Sequence, residues 1–428
     1  PTMIGMLINA LYNLVDAYFV GGLGESQMGA ISIVYPLGQV VVGLGLLFGN
    51  GAASYISRLL GQGKEEQANK VASTSLYCSL SAGIILILFC VVFSKPILLL
   101  LGATKSILPY AMTYAGIYII SCIFNVFNVT MNNIVTSEGA AKTTMLALLT
   151  GAILNIALDP IFIYTFDLGV AGAAIATAIS QVVSTLVYLY YLFSKKSIFR
   201  FHLKDCSFSK EIFSEIFKIG VPTLVFQLLT SLSISLINNA AGTYGDAAIA
   251  GMGVVTRLVS MGSLTVFGFI KGFQPIAGYS YGAKKYERLR QAIKTSILWS
   301  TIFCVVVGFG FFLFPTQIVS QFTTGNAEMI HIGANSLRIN GITFMLFGYY
   351  TVYSSLFLAL GKGKEGFLLG ACRQGICFIP VILILPTIWG LNGILYTQPI
   401  ADVLSFLISL FMALSLHKQL KLSEVQNN

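Results

Sequence analysis

The chain has 428 residues, of which 56% are hydrophobic and only 10% are charged, and its mean hydropathy is +0.83. Soluble domains carry about 25% charged residues, so this composition excludes an ordinary soluble protein and indicates an integral membrane protein. The seven cysteines show neither metal-ligand spacing nor a disulfide framework. A G-x-S-x-G match at 278–282 follows no predicted strand, and the three histidines lie at loops or span ends, so we expect no catalytic site.

Apolar runs of about 20 residues predict twelve membrane-spanning helices and an all-α fold. The second and eighth runs are long and rich in glycine, which makes their ends difficult to place. The twelve runs centre near Tyr12, Leu44, Ile84, Phe124, Leu149, Ser180, Ser233, Leu264, Val305, Phe347, Ile376 and Leu404.

The distribution of basic residues predicts the orientation in the membrane. All but six of the 25 Lys and Arg residues lie in the loops after even-numbered spans or at the C-terminus. By the positive-inside rule, these loops and both termini are cytoplasmic. This bias accounts for the net charge of +9, so we expect the lipid bilayer, and no nucleic acid, as a partner. The six exceptions are Lys95, Lys105, Arg257, Lys271, Arg338 and Arg373.

The chain repeats itself with an offset of 221 residues. "PTMIGMLINAL" then aligns with "PTLVFQLLTSL", and "DLGVAG" aligns with "IWGLNG". We therefore predict two six-helix bundles, 1–195 and 221–428, joined by a linker at 196–220 in which "SKEIFSEIFKIG" forms an amphipathic helix on the cytoplasmic surface. Because six spans return the chain to the same side, the bundles should be related by a pseudo-twofold axis along the membrane normal.

Three of the sixteen acidic residues lie inside the spans: Asp16, Asp159 and Asp402. A carboxylate at the centre of a membrane helix costs about 2.5–3.5 kcal/mol on insertion scales, so each needs a partner, water or a proton. Two interpretations remain open. These residues are either structural hydrogen-bonding groups between helices or members of an ion pathway.

Helical spacing places polar residues of the first half on shared faces. Asp16 follows Tyr12 and Asn13 by one helical turn, and Asn155 precedes Asp159 by four residues. Such faces favour a functional site.

Further oxygen atoms are predicted around these carboxylates. Pro160 lacks an amide, which would leave the carbonyl of Ile156 without its helical partner, and span six supplies the hydroxyl of Thr177. Carboxylates with an amide, a hydroxyl and a carbonyl suit either a hard cation such as Na⁺ or a proton relay. If the two carboxylates lie close together, we expect them to take up a proton near neutral pH.

The second half follows the same plan with different side chains. Asp16 aligns with Ile237, which is next to Asn238, while Gln398 and Asp402 lie on one face of the last span. We predict that Arg257 is the counter-charge of Asp402. The residues expected to contact substrate are Tyr12, Asn13, Asn238, Arg257, Gln398 and Asp402.

Several strings along the whole chain resemble the multidrug and toxic compound extrusion (MATE) family, and more narrowly its bacterial MepA-like branch. They are "ALYNLVDAYFVGGLG", "LNIALDPIFI", "GVAGAAIATAISQ", "KGFQPIAGYSYGAKKYERLRQA", "RQGICFIPVILILP" and "QPIADVLSFL". The resemblance implies a monomeric antiporter of the bacterial plasma membrane that exports amphipathic organic cations, such as cationic drugs, in exchange for inward H⁺ or Na⁺, without another cofactor.

The resemblance also implies which residues bind the coupling ion. The family's first-half site matches Asp16, Asn155, Asp159 and Thr177, which would also be the ligands if the ion is Na⁺. Spans seven and ten lack the acidic residues of the NorM-type branch, which argues against a second sodium site of that kind.

Three functions were compared on the sequence. A flippase for a lipid-linked precursor shares the helical plan, but it would need a strongly cationic cavity, and Arg257 and Arg373 alone do not provide one. An intramembrane enzyme lacks a nucleophile and base. The sequence therefore favours the exporter and leaves the choice between H⁺ and Na⁺ open.

Overall fold

The structure is a computed structural model that describes residues 2–23, 25–282, 285–322, 325–360 and 362–427. These residues form helices and connecting turns, without a β-strand among them. Two π-helical turns, Ile161–Thr165 and Cys372–Ile376, and a 3₁₀ helix, Leu203–Asp205, interrupt the α-helices. The α-helices are α1 (Thr2–Gly21), α2 (Glu25–Gly61), α3 (Glu65–Val92), α4 (Ser94–Leu100), α5 (Leu108–Ser137), α6 (Ala141–Pro160), α7 (Gly169–Phe193), α8 (Lys210–Gly242), α9 (Asp246–Gly282), α10 (Tyr286–Leu313), α11 (Pro315–Ser320), α12 (Ala327–Ala359), α13 (Gly363–Ala371), α14 (Phe378–Trp389) and α15 (Leu391–Asn427).

Twelve helical segments of the described residues are long and apolar enough to cross a membrane, and each contains one of the predicted centres. Large apolar side chains such as Ile85, Leu100 and Phe411 are exposed on the helix surfaces. Exposed apolar side chains suit lipid, and helices satisfy their own backbone hydrogen bonds there. The prediction of an all-α membrane protein with twelve spans is confirmed.

The internal repeat is visible in the helix bounds. Adding 221 to the bounds of α2 (25 and 61) gives those of α9 (246 and 282), and the same holds for α3 and α10. Gly172 and Gly393 are also 221 residues apart, and each lies against the backbone of the preceding span. A Cβ on Gly172 would lie 2.5 Å from the carbonyl oxygen of Phe162, and one on Gly393 would clash with the carbonyl of Leu385.

The first compact unit comprises Met3–Leu232. Within it, α2 packs against α3 and α5, while α7 packs against α5 and α6. Gly45 and Gly49, which fit a G-x-x-x-G pattern, allow α2 to approach α5 closely, because a Cβ at these positions would lie 2.8 Å from Val129 and 2.9 Å from Thr130.

The second compact unit comprises Ser233–Asn428. Here α12 packs against α9, α10 and α15, and α14 packs against α15. Phe344 and Phe347 stack at the centre of the apolar core, with ring centroids 5.4 Å apart. A second G-x-x-x-G pattern, Gly268 to Gly272, also predicts close helix packing. A Cβ on Gly272 would meet no atom within 4 Å, so that glycine is not needed for a close approach of helices.

The segment predicted as a linker is attached to the first unit. Asn69 of α3 accepts a hydrogen bond from the backbone N–H of Arg200 (2.8 Å) and donates to Asp205 (2.9 Å). Glu138 accepts from the backbone N–H of Ile198 (3.0 Å) and from Ser197 (3.0 Å). These contacts fix the segment from two sides.

The amphipathic stretch of this linker is not a separate surface helix. It forms the first part of α8, and its apolar residues Ile212 and Ile216 are buried in the same core cluster as Ile56 and Tyr188. The apolar face therefore packs against protein, which explains why the stretch continues directly into a membrane span.

Candidate functional site

The first unit brings Asp16 of α1 and Asp159 of α6 together. Their carboxyl groups lie close enough to interact electrostatically. Asp159 is completely buried and Asp16 is half-buried. An ionised carboxylate only accepts hydrogen bonds, so a hydrogen bond between two carboxyl groups requires that one of them carries a proton. Two carboxyl groups this close can therefore share one proton between them.

The backbone around Asp159 changes immediately after this residue. Helix α6 ends at Pro160, and the chain continues as the π-helical turn Ile161–Thr165, in which the N–H of Phe166 donates to the carbonyl of Ile161 (2.9 Å). Proline cannot donate a helical hydrogen bond, and π-turns occur frequently at functional sites. That the carbonyl of Ile156 lacks its helical hydrogen-bond partner stays a prediction.

Asn155 connects the carboxyl pair to α7. In one amide orientation its Nδ2 donates to the Thr177 hydroxyl (3.4 Å). In the opposite orientation, Nδ2 donates to Asp159 Oδ2 (3.2 Å) and Oδ1 accepts from the backbone N–H of Thr177 (3.2 Å). We adopt the second orientation because it pairs a donor with an acceptor at both ends. All four predicted ion-site residues are thus gathered in one place.

The orientation of the Asn155 amide bears on which ion this site could hold. Na⁺ is a hard cation that needs several oxygen ligands. The Asn155 amide instead turns its nitrogen toward Asp159 and uses its oxygen on α7, so it contributes no oxygen to the carboxyl pair. Among the described residues, no group of three or more His, Cys, Asp or Glu side chains forms a metal-binding cluster.

Four tyrosines near the carboxyl pair or near Tyr12 form a group that we call the tyrosine wall, and the sequence indicated only Tyr12 among them. Tyr12 and Tyr114 lie within electrostatic reach of both aspartates, and Tyr35 and Tyr118 lie close to Tyr12. Tyr114 and Tyr118 stack with ring centroids 5.7 Å apart. Tyrosine faces attract organic cations. The spacing of Tyr114 and Tyr118, one helical turn apart, is the sequence signal that could have found this wall.

The second unit pairs Asp402 with a different arginine from the one expected. Arg373 Nε donates to Asp402 Oδ1 at 2.8 Å, and both side chains are more than 90% buried. Gln398 also donates to Asp402 Oδ1 (2.7 Å). The prediction that Arg257 is the counter-charge is therefore wrong, because Arg373 occupies that position.

An aromatic ring and a π-turn hold Arg373 in place. The Arg373 guanidinium lies 4.6 Å from the centre of the Phe347 ring, a cation–π contact. Arg373 belongs to the second π-turn, Cys372–Ile376. Ser233 donates to the carbonyl of Gln374 in this turn (2.5 Å).

The remaining predicted substrate residues are dispersed. Asn13 is exposed on α1, whereas Asn238 of α8 and Arg257 of α9 are half-buried. Among these predicted residues of the second unit, Gln398 donates a hydrogen bond to Asp402. Their contact with substrate stays a prediction.

Comparisons with known proteins agree over nearly the whole chain. The MatE family model matches residues 1–161 and 222–384. The chain is 33% identical to the multidrug export protein MepA of Staphylococcus aureus (strain MRSA252) over 421 residues, which cover 98% of this chain and 93% of that protein. It is 32% identical to MepA of Staphylococcus saprophyticus, with 100% and 94% of the two chains covered.

Solved structures show the same similarity. One is described as an inward-facing multidrug resistance MATE family transporter of the MOP superfamily; it has a TM-score of 0.85 and 29% identity, and the match covers 96% of this chain and 95% of that one. Another, a MOP superfamily transporter from Pyrococcus furiosus whose description proposes a reversed polarity of the binding pocket, has a TM-score of 0.88 and 29% identity, with 98% and 94% covered.

Proposed function

The chain belongs to the MATE family of multidrug export transporters, and we propose that it exports amphipathic organic cations from a bacterial cell in exchange for protons. It is a multi-pass membrane protein. Both termini are proposed to be cytoplasmic, in agreement with the distribution of basic residues, and the protein is proposed to act as a monomer.

The observation that supports proton coupling is the proximity of the Asp16 and Asp159 carboxyl groups. When the pair loses its shared proton, two negative charges remain close together among membrane helices, where charge is costly. An organic cation bound beside the tyrosine wall relieves this repulsion. When a proton returns from outside, it removes one of the two negative charges and weakens cation binding, so the substrate leaves.

The membrane potential adds to this exchange. Each elementary charge that moves inward across 100 mV gains about 2.3 kcal/mol. Alternating access of the site to the two sides converts this energy into export, because a proton and a substrate cation favour different states.

A flippase for a lipid-linked precursor is the alternative function. Such a substrate carries a pyrophosphate and needs available positive charge. The buried pairing of Arg373 with Asp402 argues against it, because this guanidinium is already neutralised by a carboxylate.

Transport in proteoliposomes tests the proposal. An imposed proton gradient should drive ethidium transport by the purified protein in the direction opposite to proton flow. A sodium gradient without a pH difference should not drive this transport. Asp16→Asn should abolish gradient-driven transport while still inserting into the membrane. Asp167→Asn is a matched control, because Asp167 lies in the turn after the first π-helix with a positive φ of 51° that asparagine also tolerates.

Each result decides between the candidate functions. Dye movement driven only by sodium would refute proton coupling, and full activity of the Asp16→Asn variant would refute the assigned site. Translocation of a lipid-linked precursor without dye transport would support the flippase.

A further inference from the structure

The second π-turn brings two cysteines together. The N–H of Cys377 donates to the carbonyl of Cys372 at 2.9 Å, which closes a turn of five residues. In an α-helix, residues five apart point about 140° away from each other, since each residue turns the helix by about 100°. A π-turn places residues i and i+5 nearly above one another. The extra residue in this turn therefore aligns Cys372 with Cys377.

The two side chains form a buried dithiol. Both cysteines are free thiols, and their exposed fractions are only 1% and 8%. The π-turn places the two thiols beside each other, close enough to interact electrostatically. Phe378 and Ile382 belong to the apolar cluster that contains them. These apolar surroundings disfavour charged reagents and favour neutral lipophilic ones, because an unpaired charge is costly to bury.

We propose that Cys372 and Cys377 form a binding site for neutral trivalent organoarsenic compounds. Trivalent arsenic prefers soft sulfur ligands and binds two thiols at once. In the reaction with an organoarsine oxide, two As–S bonds form and the arsenic–oxygen bond breaks. The two thiol protons leave with the oxygen as water, so no oxidant or reductant is needed.

The position of the dithiol links binding to the rest of the second unit. Arg373, which lies between the two cysteines in the sequence, makes the ion pair with Asp402. An arsenic atom that bridges both sulfurs fixes the π-turn from which the guanidinium extends. The site is independent of the proposed proton exchange, because it lies entirely within residues 372–377.

Retention of phenylarsine oxide by the purified full-length chain tests this inference. After treatment, excess 2-mercaptoethanol removes arsenic bound to single thiols, and intact-mass spectrometry measures the adduct that remains. We expect one retained phenylarsenic group on the wild-type chain, removable by 2,3-dimercaptopropanol. Cys372→Ser and Cys377→Ser should each lower retention at least tenfold.

The control is Cys122→Ser, since Cys122 is another buried cysteine but lies in α5 of the first unit. This variant should retain the adduct as the wild type does. Each of the two test variants is first checked for a monodisperse elution profile, so that one remains informative if the other does not fold. Absence of a retained adduct on the wild type, or its persistence in a folded Cys377→Ser variant, would overturn the assignment.

Discussion

The two units both bury ionisable groups among membrane-spanning helices, but they balance the charge in different ways. In the first unit, the Asp16 and Asp159 carboxyl groups lie close together and can share a proton. In the second unit, Asp402 is neutralised by Arg373. A proton can dissociate, whereas arginine stays charged at all relevant pH values. Of these two charge arrangements, only the carboxyl pair can gain or lose a proton.

The largest effect is expected from Asp159→Asn, which removes one of the two carboxyl groups that can share a proton in the first unit. An amide has the size of the carboxyl group but cannot ionise, so the charge at this position could no longer change. Ethidium transport in proteoliposomes should fall to the level of protein-free liposomes at every pH within about one unit of neutrality. Gradient-driven transport by this variant would contradict the role of the pair.

The second prediction breaks the ion pair of the other unit. Arg373→Met leaves Asp402 as an uncompensated buried charge and should lower the free energy of unfolding by about 3–5 kcal/mol. Thermal unfolding in detergent measures this loss. The double variant Arg373→Met/Asp402→Leu should recover most of it, because apolar side chains can replace a buried ion pair. Any transport that remains should still respond to the proton gradient, and loss of that response in the stable double variant would refute the division between the units.

A smaller effect is expected from Asn155→Ala, which removes the donor to Asp159. A hydrogen bond to a buried charged group contributes about 1–3 kcal/mol, which corresponds to a decrease of about 5- to 150-fold in transport rate. Initial rates of ethidium transport at a fixed proton gradient measure the decrease. A rate equal to that of the wild type would mean that the amide does not orient the carboxylate.

The smallest effect is expected from Thr177→Val. This change removes the hydroxyl but keeps the backbone N–H that binds Asn155. We expect a loss of at most about 1 kcal/mol, or about fivefold in rate, since one neutral hydrogen bond contributes no more than this. The same initial-rate assay, repeated with sodium present and absent, separates the ions. A loss far beyond fivefold that depends on sodium would point to a cation coordinated by the hydroxyl.

The spans, the repeat and the first-unit site could be predicted from the sequence, because each depends on local periodicity. Twenty apolar residues must cross the membrane, and residues four apart, such as Asn155 and Asp159, share a helix face. The proline after Asp159 marked the change of backbone geometry. The ion assignment itself stays a prediction, although the gathered geometry supports it.

The parts that escaped the sequence depend on tertiary contacts or on irregular helix geometry. The π-turn adds one residue to a helical turn, so an α-helical projection misplaces Arg373 by about 100° relative to its neighbours. Arg257 was predicted as the partner of Asp402 from its depth in a span alone, and depth does not show which helices pack together. Tyr35, Tyr114 and Tyr118 come from α2 and α5, and only the packing of these helices brings them near Tyr12.

The attachment of the segment after α7 has a practical consequence for spectroscopy. Because Asn69 and Glu138 hold the backbone of residues 198–205 from two sides, a fluorophore placed at His202 would report the motion of the amino-terminal half rather than that of a free tether. A dye at this position would therefore label the amino-terminal unit itself.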